Sequence, residues 1–213
     1  AASWVVSRLG WALSGRMPEE PERWGLRAPM LLVAARRPAR TTADGELVRL
    51  EDQDRGRWNR ELIVDGQALV RRCLIRNRPG PYQIQAAINA VHADAPVAAA
   101  TDWRQILRLY DQLLAIAPSP VVALNRAVAV SKVRGAEAAL DMIEPLAPRL
   151  SNYFHFFGVR GAFLMQLGRN DEACVAFDRA IALANTSAEA AHIRMHLDRL
   201  KRDSAPRGAK AGK

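Results

Sequence analysis

At 213 residues, 49% hydrophobic and 25% charged, the chain can bury a sizeable core as one domain or two small ones, and its composition excludes a fibrous or wholly disordered protein. Its formal net charge of +9 raises nucleic acid as a partner, but residues 1–80 carry 15 basic against 10 acidic side chains, 81–200 carry 11 of each, and 201–213 carry 5 against 1. A neutral body with a basic first third and a basic end supports weak phosphate attraction and contains no groove-reading element.

Taken in chain order, the stretch before Arg36 reads as helical, although it holds Trp4, Trp11, Trp24 and Pro29. A proline inside a helix costs roughly 3 kcal/mol unless the helix kinks there. From Arg36 to Leu62 the text turns charged and turn-rich, and a loop over 36–58 is expected, too long and too charged to be idle. Only Glu46 to Leu50 could form a short strand. The acids Glu46, Glu51, Asp52 and Asp54 lack EF-hand spacing and sit beside Arg49, Arg55 and Arg57. An internal salt-bridge network pinning the loop across the helices is therefore expected rather than a cation site.

Asn59 is placed to cap the next helix, with Glu61 in its first turn. Leu62, Ile63, Leu69, Val70, Cys73 and Leu74 form its apolar face. Arg78-Pro79-Gly80-Pro81 stops that helix, and Pro81 opens a second, lined by Ile84, Ile88 and Val91. Thr101 or Asp102 caps a third, which ends by Pro118. Helices are then expected at about 120–133, 136–147, 152–167, 170–184 and 187–200, the last opening on the capping-box spacing Thr186 to Glu189. Residues 201–213 hold too little apolar surface to order and read as a disordered basic tail.

A repeat underlies the second half. Ala139, Ile143 and Leu146 recur as Ala173, Phe177 and Ala180, and Ala127 and Val130 recur as Gly161 and Leu164. Each pair is 34 residues apart, the tetratricopeptide period, and Gly168 sits at the inter-helix turn. Upstream, Ile106, Tyr110, Leu113 and Pro118 keep the spacing of a degenerate third copy. Small residues at Gly161 and Ala173 would let antiparallel helices cross closely, with Phe177 filling the gap to the next repeat. The fold class is all-α: antiparallel helical hairpins stacked as a short tetratricopeptide-like solenoid over 81–200, preceded by a helical segment with a charged loop over 1–80.

Candidate chemistry is sparse. His192 and His196 have the spacing of half a metal site, but Ile193 follows the first and no third ligand is near, so packing is expected. His155 lies in the aromatic run 153–157 and reads as core or groove wall. Neither a Gly-rich phosphate loop nor a nucleophile elbow nor a Cys–His signature is present. No catalytic residue, metal or cofactor is expected, and the chain is read as a non-enzyme. Cys73 and Cys174, lacking CxxC spacing, read as reduced thiols of a cytoplasmic protein. No apolar run approaches the ~18 residues of a membrane span, and Arg8 and Arg16 break any leader-like start.

Several segments, in order, carry a resemblance: Met17 to Glu22, the charged run Arg36 to Leu62, Arg78 to Ile88, Val91-His92-Ala93, Thr101-Asp102-Trp103, Ile106, Leu109-Tyr110-Asp111 and Ser119 to Ala129. Together they resemble the tetratricopeptide-like C-terminal extension of one group of bacterial extracytoplasmic-function sigma factors. The resemblance implies a regulatory or interaction domain that supports transcription initiation through protein contacts. Its partners would be the sigma domains of the full-length protein, core RNA polymerase or a signal protein. The promoter-contacting domains of such factors have no counterpart in these residues, which read as a fragment, so DNA would be reached only through the missing parts. Candidate partner-binding residues are Arg36, Arg37, Arg40, Asp44, Glu46, Glu51, Asp52, Asp54, Arg55 and Trp58 in the loop, with Tyr82, Asn125 and Arg126. The alternative reading is a stand-alone tetratricopeptide-like peptide-binding scaffold.

Overall fold

The computed structural model describes residues 21–43, 45, 47–75 and 79–204. The sequence expectations for Trp4, Trp11, Asp44, Glu46 and residues 205–213 lie outside them, whereas 201–204, expected to belong to the disordered tail, continue the last helix to Ser204. Among the described residues the fold is all-helical, and the only β-type pairing is a single antiparallel bridge between Thr41 and Leu47. No described helix is long and apolar enough to cross a membrane. The helices are α1 (Pro21–Ala35), α2 (Arg60–Ile75), α3 (Pro81–Asp94), α4 (Trp103–Ile116), α5 (Pro120–Arg134), α6 (Ala136–Ile143), α7 (Phe154–Gln166), α8 (Asn170–Leu183) and α9 (Ser187–Ser204). By internal contacts the chain forms two compact units, 1–129 and 130–213, and the division falls within α5.

In the first unit α1 packs on both α2 and α3, and α4 packs on α3. Its core joins Ala28 and Leu32 of α1, Val70 of α2, and Ala86 and Ala90 of α3, with Ile63, Leu69, Ala87 and Ala93 packed around them. The approach of α1 to α3 is close enough to require glycine: a Cβ on Gly25 would lie 2.7 Å from the backbone nitrogen of Gln83. Pro29 does not break α1, which runs through it to Ala35. The expected caps are present. Asn59 Oδ1 accepts from Leu62 N at 3.0 Å, and Asp102 Oδ1 accepts from Gln105 N at 2.9 Å. On α2, Val70 and Cys73 are buried, but Leu74 is 66% exposed. One residue further round the helix, it has left the narrow arc that α1 covers.

In the second unit α6 packs on α7, α7 on α8, and α8 on α9. The helix expected over 136–147 ends at Ile143 and continues as a 3-10 helix over Glu144–Leu150. Pro145 and Pro148 explain the change, because neither can donate the backbone hydrogen bond that an α-helix needs there. Gly161 meets Phe177, whose ring carbons would lie 2.6 Å from a Cβ at that position. The same ring stacks on His196 of α9 at 5.7 Å, so one buried phenylalanine joins three helices. The turn between α7 and α8 uses Gly168 at φ 73°, a left-handed conformation that suits glycine. Glu189 accepts from Thr186 N while Thr186 Oγ1 accepts from Glu189 N, each at 3.2 Å, closing the capping box.

The helix starts are themselves periodic. Trp103, Ala136 and Asn170 begin alternate helices at intervals of 33 and 34 residues, and Pro120, Phe154 and Ser187 begin the others at 34 and 33. Of the repeat-related positions, Ala127, Gly161, Val130, Leu164, Ala139, Ala173, Ile143, Phe177 and Ala180 are all buried. Leu146 is half-buried, because it falls in the 3-10 turn that the prolines create.

Candidate functional site

The charged loop leaves α1 at Arg36, makes a 3-10 turn over Arg37–Ala39, and returns to α2 through a second 3-10 turn over Arg55–Arg57. These turns pack against each other. Between them the chain is closed by its own backbone: Val48 N donates to Arg40 O at 2.9 Å and Asp52 N to Arg49 O at 2.9 Å. The exit is tied back as well, since Asn59 N donates to Ala35 O at 2.9 Å, joining the end of α1 to the cap of α2.

Arg49 forms ion pairs within the loop, and a different contact crosses to a distant helix. Arg49 pairs with Glu51 at 2.9 Å and with Asp52 at 2.6 Å, both within the loop and exposed. The Asp52 hydrogen bond is the main reason the Arg49 guanidinium titrates above its ordinary value. Asp54 accepts from Gly56 N at 2.9 Å and so caps the second turn. What crosses to a distant helix is Arg55, whose Nη1 donates to the carbonyls of His92 and Ala95, each at 2.6 Å. Those carbonyls lie at the C-terminal end of α3, where helix carbonyls lack intrahelical donors and the dipole favours a cation. Trp58, only 4% exposed, completes the fastening, with the Arg55 guanidinium 4.6 Å from its ring centroid.

Arg36 reaches the same helix, donating to Asn89 Oδ1 at 3.4 Å. Burial, then the like charges of Arg40 and Arg55, lower its pKa to about 10. His92 is held mainly by burial, then by Arg36 and Arg55, at a pKa of about 4, and its ring meets Trp103 edge-on at 5.3 Å. It is therefore neutral near pH 7. Because the folded value lies below the unfolded one of about 6.5, His92 contributes stability that is complete above pH ~6.5 and lost as pH falls through about 4. Urea denaturation of wild type and His92→Phe between pH 7 and 4 should show wild type losing on the order of 3 kcal/mol more than the variant. Parallel pH profiles would show that His92 is not the group responsible.

The structure thus ties Arg36 and Arg55 to α3, with Trp58 packed against Arg55, and leaves the side chains of Arg37, Arg40, Glu51, Asp52 and Asp54 on the outer surface. Tyr82 is exposed at the start of α3. Arg126 on α5 pairs with Asp111 of α4 at 2.6 Å, and the neighbouring Asn125 is exposed. Sequence reasoning missed Asn89, His92 and Ala95 as loop partners. The Val91-His92-Ala93 segment stands out only through the family resemblance, and nothing local links it to a residue nearly 40 positions earlier. Among the described residues here, three buried side-chain atoms have no hydrogen-bond partner: Gln53 Oε1, Trp58 Nε1 and His92 Nδ1. In the second unit His192 and His196 stand edge-on to each other at 5.2 Å, and His155 is exposed between Tyr153 and Phe154. No group of three or more His, Cys, Asp or Glu side chains among the described residues is placed to hold a metal ion. Cys73 and Cys174 are free thiols.

Residues 5–74, which contain α1, the loop and nearly all of α2, match a family of unknown function (DUF6596). The chain is also similar to an uncharacterized protein of Rhizobium meliloti (strain 1021), 54% identical over 198 residues. That alignment takes in 93% of this chain and 47% of the relative, so the chain spans about half the length of the curated relative it matches. No solved structure matches it. The family match ends just short of the end of α2, so it takes in the loop and both of its flanking helices.

Proposed function

We propose that these residues form the C-terminal interaction region of an RNA polymerase sigma factor and support DNA-templated transcription initiation through protein–protein contacts in the cytoplasm. The ordered series of segments resembling that extension motivates the reading, and one structural observation carries it. The loop is fastened to its own unit by Trp58, Arg55 and backbone bonds, while Arg37, Arg40, Glu51 and Asp52 face outward. A surface loop with a buried anchor and an exposed charged rim is pre-organised for docking, because little ordering entropy remains to be lost on binding. The 33- and 34-residue intervals between helix starts support tetratricopeptide-like hairpins stacked as a short solenoid, an architecture that binds extended partners along its concave side.

The proposed partners are the sigma domains of the full-length protein, core RNA polymerase or a signal protein. Promoter recognition would reside in other parts of the full-length protein, and no catalytic role is proposed. In that protein, changing Arg37, Arg40, Glu51 and Asp52 together to alanine should lower reporter transcription about tenfold or more. These side chains are exposed, so the midpoint of thermal unfolding should barely move. Full transcription from the quadruple variant would remove the rim from the mechanism. A second reading, a separate tetratricopeptide-like peptide-binding scaffold, draws on the same helix periodicity. An in-frame pair of sigma domains upstream of Ala1 would exclude it.

A further inference from the structure

The outer side of α2 is apolar where a surface helix is normally polar. Val64 is 57% exposed, Leu74 66% and Ile75 83%, whereas each other described helix exposes one large hydrophobic side chain at most. Val64, Ala68, Arg71 and Ile75 recur at spacings of four, three and four residues, so they share one side of the helix over about three turns. The opposite side belongs to α1: Val70 and Cys73 are buried, and a Cβ on Gly66 would lie 2.7 Å from Leu32 Cγ. The outer stripe therefore takes no part in the core of its own unit, and exposed apolar surface gathered on one helix marks a contact.

The charges beside the stripe select its occupant. Glu61, Asp65 and Arg72 are exposed along one edge of it, both acids toward the N-terminal end of α2 and the arginine toward the C-terminal end. Arg72 is held in place, its guanidinium 4.4 Å from the ring centroid of Trp24 on α1. An edge that is acidic first and basic later is complementary to itself when reversed. Two copies of α2 laid antiparallel about a two-fold axis beside Gln67 and Ala68 have like edges facing, and Arg72 of each falls between Glu61 and Asp65 of the other. Val64 then lies opposite the second copy's Arg71, flanked by that copy's Ala68 and Ile75, and the alkyl stem of the arginine covers it. Ala68, small and half-buried near the axis, lets the two helices approach.

We infer that α2 pairs antiparallel with α2 of a second copy of this chain, through the stripe of Val64, Ala68, Arg71 and Ile75 and the edge of Glu61, Asp65 and Arg72. The same surface serves on both sides, so the contact closes at two copies. One helix pair of about four turns lies at the small end of specific interfaces, and association in the micromolar range follows. This inference does not rest on the transcription reading.

The test is sedimentation equilibrium of the 213-residue chain over a concentration range of about 1 to 300 μM. The mean molar mass should rise from that of one chain toward that of two. Ile75→Ser should weaken association about tenfold or more, since the lost apolar surface counts on both sides of the pair. Two charge-reversed proteins, one carrying Glu61→Lys with Asp65→Lys and the other Arg72→Glu, should each stay monomeric, because like charges then meet twice. All three changed side chains are exposed, so circular dichroism should show both proteins folded. An equimolar mixture of the two should pair within about threefold of wild-type affinity, since opposite charges face each other again at both ends. A wild-type chain that is monomeric throughout the range, a mixture as monomeric as its components, or charge-reversed proteins that pair as wild type does would each overturn the pairing.

Discussion

Truncating Trp58 to alanine is expected to cost about 3–5 kcal/mol of folding stability, the range for removing a large aromatic side chain from a packed interior. Trp58 is 4% exposed and is the only large apolar side chain of the loop, among its described residues, to be buried. Its loss would leave a cavity and also take the aromatic face from Arg55. Since Arg55 ties the loop to the carbonyls of His92 and Ala95, the damage should spread along the loop. Urea denaturation monitors the global loss. Amide hydrogen exchange should additionally show Val48 and Asp52, whose N–H groups are bonded within the loop, losing protection. A Trp58→Ala protein as stable as wild type would mean that the loop is not anchored as described.

The second large effect belongs to the other unit. Phe177→Ala should cost about 3–5 kcal/mol, because the ring is 1% exposed and touches both α7 and α9. Gly161→Ala should also destabilise, since its new methyl group would sit 2.6 Å from the ring carbons of Phe177. In a Phe177→Ala background the obstacle is gone, and Gly161→Ala should become neutral or stabilising through helix propensity. The double-mutant cycle should therefore give a coupling of at least about 1 kcal/mol between the two positions. Additive changes would mean that the helices do not cross against that ring.

The local parts of this structure can be read from the chain directly. Asn59, Asp102 and the Thr186–Glu189 pair cap their helices as their spacing predicts, because a cap involves residues three positions apart. The 34-residue recurrence of small and apolar residues anticipates the spacing of the helices themselves, since it records which faces must meet. The failures have longer range. Leu74 belongs to the same apolar run as Cys73, yet only the packing of α1 decides where the covered arc stops. Gly25 looks like an ordinary glycine until Gln83, nearly 60 residues on, is found against it.

The site shows the same division. The length and charge of the loop single it out in the sequence, and Arg55 and Trp58 stand among its candidate residues. Which residues fasten and which face outward is invisible in the sequence, because the acceptors are two backbone carbonyls at the far end of α3. Every residue has a carbonyl, so no side-chain pattern marks these two. The arginines and acids also alternate closely enough that pairing by proximity predicts a network of ion pairs. In the fold Arg49 takes Glu51 and Asp52, and Arg55 goes to the helix end.

Run-off transcription with purified core RNA polymerase tests the central proposal most directly. The full-length protein should initiate at its promoter, these 213 residues alone should not, and a protein lacking them should initiate at least about tenfold less. Initiation directed by the 213 residues alone, or undiminished initiation without them, would contradict the reading of this chain as a docking region that serves promoter-recognising domains.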